Sequence, residues 1–318
     1  MRALAHLLTR RLWQMALVAA LVAALVGTLT LVLTRALPGD AAWRIAAGRY
    51  GYDRVDAAAA EAVRAELDLD GNAFIAWLHW MGDLLQLNLG RSLVSGEPVI
   101  DELFHQLGHS AVLAGAAVAL ALLLGPPLGA LAGLRPGGWL DRFNLLLAVV
   151  LRALPAFVLG VLLIAVFSLW LGVLPSAGYD TPAHLLLPAL SLALGLAAVS
   201  GRVTRQSVRE VRESPMYAFS LLRGMSAVTT FRRHGIRNAA VPVVTYLGVQ
   251  LVYLIEGVVV IETLFAWPGI GHALVHAIVA RDVPMVQGTA LVMGLVFVLL
   301  NLLVDIACLL IDPRRRRT

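Results

Sequence analysis

The sequence predicts an all-α integral membrane protein with six spanning helices and an outer subdomain between the first two. Three observations carry that prediction. The chain is 59% hydrophobic and only 14% charged, with a mean hydropathy of +0.82. Its apolar residues come in long uncharged blocks, and its arginines crowd alternate loops. A soluble domain is close to a quarter charged, whereas a helix needs roughly 20 apolar residues to cross about 30 Å of hydrocarbon.

The first block, Leu12 to Leu33, holds 22 residues without a charge after Arg2, Arg10 and Arg11. It is too long for a signal peptide's apolar region and no small-residue cleavage site follows it, so a retained helix is predicted. Residues 1–34 are read as an inner N-terminus and first span. The stretch Arg35 to Glu102 carries six Arg against eleven Asp or Glu. It is broken at Pro38-Gly39-Asp40, Gly48, Gly51 and Asp70-Gly71, and has amphipathic pieces at Asp56–Leu67 and Phe74–Leu87, with Trp77 and Trp80. Residues 35–108 are therefore read as an extracytoplasmic subdomain at the membrane surface. Residues 109–318 form a five-helix core. Its blocks are Ser110–Leu134, Phe143 to about Val173 (interrupted only by Arg152), Thr181–Gly201, Asn238–Ile261 (containing Glu256) and Val283–Ile311 (containing Asp305).

Arginine placement orients these spans. The N-terminus, the second loop, the fourth loop and the C-terminus together hold 17 Arg against four acidic residues. The opposite side holds seven Arg against fourteen acidic residues. The positive-inside rule puts both termini in the cytoplasm and the acidic subdomain outside.

All 25 basic residues are Arg. Without Lys there is no Walker A phosphate loop and no Schiff-base chemistry, so no nucleotide cofactor is expected in this chain. A pI near 10.0 fits membrane topology better than a nucleic-acid partner. Cys308 is the single cysteine, excludes an internal disulfide, and reads as a small core residue. No HExxH, GxSxG or paired intramembrane aspartates support a membrane-embedded enzyme. A stand-alone channel or secondary transporter for a small cationic solute is the alternative, but the inverted repeat common in that class is not evident.

The longest inner segment, 202–237, holds eight Arg and two Glu. Within it Ser214 suits an N-cap, Pro215 the first helical position and Gly224 the left-handed residue past the end. Met216, Tyr217, Ala218, Phe219, Ser220, Leu221, Leu222 and Arg223 lie between them. Such a mostly apolar helix either docks on a partner or packs against the chain's own spans and lipid headgroups.

Many short runs, in order, resemble one family. They include Arg35-Ala36-Leu37-Pro38-Gly39-Asp40, Leu89-Gly90-Arg91-Ser92, Leu174-Pro175-Ser176-Ala177-Gly178-Tyr179 and Arg233-His234-Gly235-Ile236-Arg237-Asn238. The most specific is Glu262-Thr263-Leu264-Phe265-Ala266-Trp267-Pro268-Gly269-Ile270-Gly271, and the chain closes with Arg281-Asp282, Asn301 to Asp305 and Asp312-Pro313-Arg314. Over nearly its whole length the chain resembles the permeases of bacterial dipeptide, oligopeptide and nickel ABC importers. The resemblance implies a type I importer permease in the bacterial inner membrane that imports a peptide-like solute or metal chelate and is not itself an enzyme. It implies a homologous second permease, two ABC ATPase subunits and an extracytoplasmic solute-binding protein as partners. Ser214 to Gly224 corresponds to the coupling helix that sits in a cleft of the ATPase. Phe219 and Leu222 are bulkier than the family pattern, which points to a co-adapted ATPase.

Polar residues inside the blocks are the remaining candidates. Glu256 either lines the solute pathway or is protonated or paired at the permease–permease interface, with Arg152 as a candidate counter-charge. Asn301 and Asp305 share one helix face and are read as a structural hydrogen-bonding pair. His272 and His276, like His105 and His109, have the i, i+4 spacing of metal ligands. Two ligands without a third are weak, so no metal site is assigned.

Overall fold

Among the described residues, regular structure is helical apart from one antiparallel bridge, Arg91 to Pro98. The computed structural model describes residues 9, 13, 14, 16–18, 20–29, 32, 39–51, 53–67, 75, 77, 78, 81–83 and 88–311. At 234, 237, 247, 251–253, 255, 256, 305 and 307–311 it describes the backbone course alone. Most of Phe74–Leu87 and the Cys308 side chain lie outside the described residues.

The helices follow the predicted blocks. Residues 20–29 are helical along the first. In the segment after the first block lie α1 (Ala41–Tyr50) and α2 (Ala57–Leu67). Asp40 caps α1 by accepting from the Ala42 N–H at 2.9 Å, and Asp56 accepts from the Ala59 N–H at 2.7 Å. Then come α3 (Val99–Leu134), α4 (Trp139–Ala153), and α5 (Ala156–Leu163), which runs on as a π-helical stretch, Ile164–Trp170. Next are α6 (Leu186–Glu213), α7 (Pro215–Leu222), α8 (Ala227–Thr230) and α9 (Ile236–Leu264). Last are α10 (Ile270–Ala280) and α11 (Val283–Ile311). Among the described residues three helices are long and apolar enough to cross a membrane, Val99–Leu134, Pro182–Glu213 and Val283–Val304; the α4–α5 pair makes a fourth if it counts as one span. The fifth predicted block falls on α9, a helix of 29 residues.

The third block departs from its prediction as one run. α4 and α5 are bent by 102° at Leu154-Pro155. Pro155 has no N–H to continue the helix, and Leu154 before it is extended (φ −95°, ψ 126°), as residues preceding proline prefer. Arg152 thereby becomes a residue of a helix end.

The chain forms two compact units, residues 1–110 with 268–299 and residues 111–267 with 300–318. In the first, α1 and α2 bury Ala42, Ile45 and Ala46 against Ala60 and Val63. A second cluster joins Leu89, Val99 and Leu103 to Ile270, Ala277 and Met285. The two meet at Arg281-Asp282. Arg281 is left-handed (φ 57°) and donates from Nη1 to the Gly39 carbonyl at 2.8 Å. Asp282, 2% exposed, accepts from the Ser92 hydroxyl, from the Leu93 N–H at 3.1 Å and from the Met285 N–H at 3.3 Å. One carboxylate thus caps α11 and pins the 92–94 turn. Asp282→Ala strands these buried donors, each desolvated without a partner. It is expected to destabilise the chain by about 3 kcal/mol, read as a lower unfolding midpoint in detergent.

In the second unit α6 is central, packing against α4, α5 and α9. The core joins Leu113, Ala117 and Ala121 of α3 to Leu187, Leu192 and Ala193 of α6 and to Val258, Ile261 and Phe265 at the end of α9. Along α3 the small residues Gly125, Gly129 and Gly133 recur every four positions and face the α6 backbone. A Cβ built on Gly129 would sit 2.1 Å from the Gly201 carbonyl oxygen, and one on Gly125 would sit 2.5 Å from that of Ala197. Small residues at this spacing let membrane helices touch backbone to backbone.

Candidate functional site

The 202–237 loop is mostly helix. α6 continues past Gly201 through the arginine-rich stretch to Glu213. Ser214 then turns the chain, its Oγ donating to the Val211 carbonyl at 2.6 Å and accepting from the Tyr217 N–H at 3.3 Å. Pro215 occupies the first helical position of α7. Past Leu222, Arg223 ends the helix and Gly224 takes φ +81°. Its N–H bonds back to the Leu221 carbonyl at 2.9 Å.

The two faces of α7 differ. Tyr217 is 5% exposed and Ser220 is buried. The Tyr217 hydroxyl donates to the Ala227 carbonyl at 3.2 Å, and the Met225 N–H to the Ser220 carbonyl at 3.3 Å. These bonds hold α7 to the segment that follows it. The opposite face carries Met216, Phe219 and Leu222, three residues apart and so on one side of a helix. All three are exposed, Leu222 at 85%. The Arg223 guanidinium lies 5.4 Å from the centre of the Phe219 ring, a cation–π contact. Beside α7 is a hollow of about 430 Å³, lined by Gly133, Leu134, Arg209, Arg212, Tyr217 and Leu221 among others.

The base of this platform is fixed by charge. Asp141, in the first turn of α4 and ahead of the third apolar block, is buried and paired with Arg205 of α6, whose Nη2 donates at 3.0 Å. The Gly137 N–H adds a bond of 2.8 Å. The Arg205 hydrogen bond holds the Asp141 carboxyl well below the usual carboxylate range, against the opposing effect of burial. Arg212 donates to the Leu134 carbonyl, tying α6 to the end of α3.

The other sequence candidates are scattered. Arg152 stands at the end of α4 beside a cavity of about 320 Å³, which Gln250 also lines. The Glu256 side chain lies outside the described residues, so its pairing with Arg152 is not described. Asn301 is exposed on α11, and the Asp305 side chain lies outside the described residues. The His105 and His109 Nε2 atoms are 3.3 Å apart. The rings of His272 and His276 on α10 stand 4.4 Å apart. Burial, then the neighbouring His276, pushes the His272 pKa down. Among the described residues no group of three or more His, Cys, Asp or Glu could hold a metal.

Sequence reading gave Asp282 no role beyond its place in the family-like pair Arg281-Asp282, since its partner Ser92 lies 190 residues away, and passed over Gln250, a lone amide overshadowed by Glu256 nearby. The four-residue glycine spacing of α3 was a readable signal.

A sequence profile of the family described as binding-protein-dependent transport system inner membrane component matches residues 125–317, which include the 202–237 loop and α7. The glutathione transport system permease protein GsiC of Pectobacterium atrosepticum is 39% identical over 280 residues, 88% of this chain and 90% of that protein. The proteins of the same name from Escherichia coli strain K12 and Shigella flexneri are 38% and 37% identical over the same shares. The chain therefore belongs to the family of inner membrane components of binding-protein-dependent transport systems.

Proposed function

We propose that this permease carries a short peptide-like solute, or its metal chelate, inward across the bacterial inner membrane, driven by two ABC ATPase subunits that grip α7. A homologous second permease completes the path, and an extracytoplasmic binding protein delivers the solute. Both termini and the 202–237 loop face the cytoplasm, and the 35–108 subdomain faces outward. The observation that carries the reading is the exposed Met216, Phe219 and Leu222 face on a helix whose other side is hydrogen-bonded to its own chain. Exposed apolar stripes of this kind mark partner surfaces. Ser214 to Gly224 act as the coupling element, Arg152 and Glu256 line the solute pathway, and Asn301 and Asp305 are structural. Glutathione is the solute named for the relatives, and it makes a short peptide the first class to test.

Purification of the tagged chain from its own membranes is expected to bring two ATPase subunits with it. Uptake of labelled glutathione or of di- and tripeptides by vesicles carrying the complex is expected to cease when ATP is depleted. Solute uptake that continues without ATP would overturn the reading.

A further inference from the structure

The cavity at the broken third span holds two polar side chains that nothing among the described residues satisfies. It opens where α4 and α5 part at Leu154-Pro155, and Arg152, Ser191, Gln250, Leu159, Leu254 and Gly257 are among its lining. Gln250 is 8% exposed and carries no hydrogen bond among the described residues. It sits midway along α9, itself flanked by apolar residues. Arg152 is exposed at the end of α4 and makes no ion pair or hydrogen bond among the described residues, which do not include the Glu256 side chain. Ser191 is fully buried and its hydroxyl is committed to the Leu187 carbonyl at 2.7 Å.

Within a membrane block, an arginine without a partner is unfavourable, and such residues mark ion and solute pathways. An amide that faces a cavity in an otherwise apolar wall likewise favours a polar ligand. Both groups line one cavity, where a ligand from outside the chain can engage them together. A guanidinium presents a planar fork that matches a carboxylate with two parallel hydrogen bonds. The Gln250 amide adds a donor for the same oxygens and an acceptor for a neighbouring N–H. A cavity of about 320 Å³ falls within the range of small-ligand pockets.

We propose that this cavity binds a carboxylate of the transported solute, with Arg152 holding it bidentately and Gln250 donating from its side-chain amide. The proposal rests on reading the chain as a solute permease, and it narrows the solute to one carrying a free carboxylate, as the C-terminus of a short peptide does. Arg152 and Gln250 are then specificity residues in the path.

The test uses the assembled complex, with N-acetylglycine and N-acetylglycinamide as probes and phenylglyoxal as the arginine reagent. Mass mapping is expected to show Arg152 modified about fivefold more slowly with the carboxylate probe than with the amide, and exposed Arg54 equally fast with both. Equal rates at Arg152 with the two probes would overturn the site, as would slowing of every arginine alike. In the same complex Arg152→Gln is expected to lower ATP-dependent solute uptake at least about tenfold. Gln250→Leu is expected to lower it about threefold, with the ATPase subunits still bound. Unchanged uptake in both variants sinks the proposal. Loss of assembly in Arg152→Gln with normal uptake in Gln250→Leu also sinks it, because the arginine then pairs with a carboxylate of the second permease. Wild-type vesicles that import nothing with ATP would instead refute the permease reading, and the probe experiment would still decide the carboxylate site.

Discussion

Leu222→Asp is expected to sever the transporter from its motor while leaving the membrane part intact. The side chain is 85% exposed, so the folded chain loses almost nothing. If α7 seats in an ATPase cleft, the variant forfeits the burial of a leucine, about 2 kcal/mol, and buries an unpaired carboxylate besides. Together these predict docking at least about a hundredfold weaker. Co-purification of the ATPase subunits should fail, and uptake should fall with it. Membrane insertion and the detergent unfolding midpoint should match the wild type. A variant that still holds its ATPases and transports normally would show that α7 is not the docking element.

Gly129→Ala adds one methyl group and is expected to be among the most damaging small substitutions in the chain. Its Cβ would lie 2.1 Å from the Gly201 carbonyl oxygen, with the Gly201 carbonyl carbon at 2.8 Å. Neither atom is the free end of a flexible side chain, so α3 and α6 must separate. Overpacking of this kind costs about 1–3 kcal/mol, and the backbone contacts above and below Gly129 would be lost with it. Gly115 in the same helix has nothing within 4 Å of the place its Cβ would take. Gly115→Ala is expected to be neutral or slightly stabilising, since alanine is the better helix former. Unfolding midpoints of the two variants in detergent should move apart, and equal midpoints would remove the backbone-contact account.

Much of this was legible because local rules were not opposed. The apolar blocks became helices, and Ser214, Pro215 and Gly224 delimit α7 by the same capping chemistry that predicts it. The third block was harder. Pro155 signalled an interruption, but a bend of 102° depends on what the parted helices pack against. Gly160 supplies part of this, its backbone lying close under Leu264 and Phe265, which no local pattern reveals. Asp282 was illegible for a related reason, because its role is set by the 92–94 turn far away in the chain. Gln250 read as one polar residue in an apolar run, and only the cavity beside it gives it meaning.

α6 runs without interruption from Leu186 to Glu213, so Ser191 at the cavity wall and Glu213 at the hollow beside α7 belong to one stiff rod. At 1.5 Å per residue they stand about 33 Å apart. Tilting such a rod by about 5° displaces its far end by about 3 Å. A modest push on the Glu213 end is thereby enough to widen or narrow a chamber about 33 Å away, with no hinge needed along the shaft.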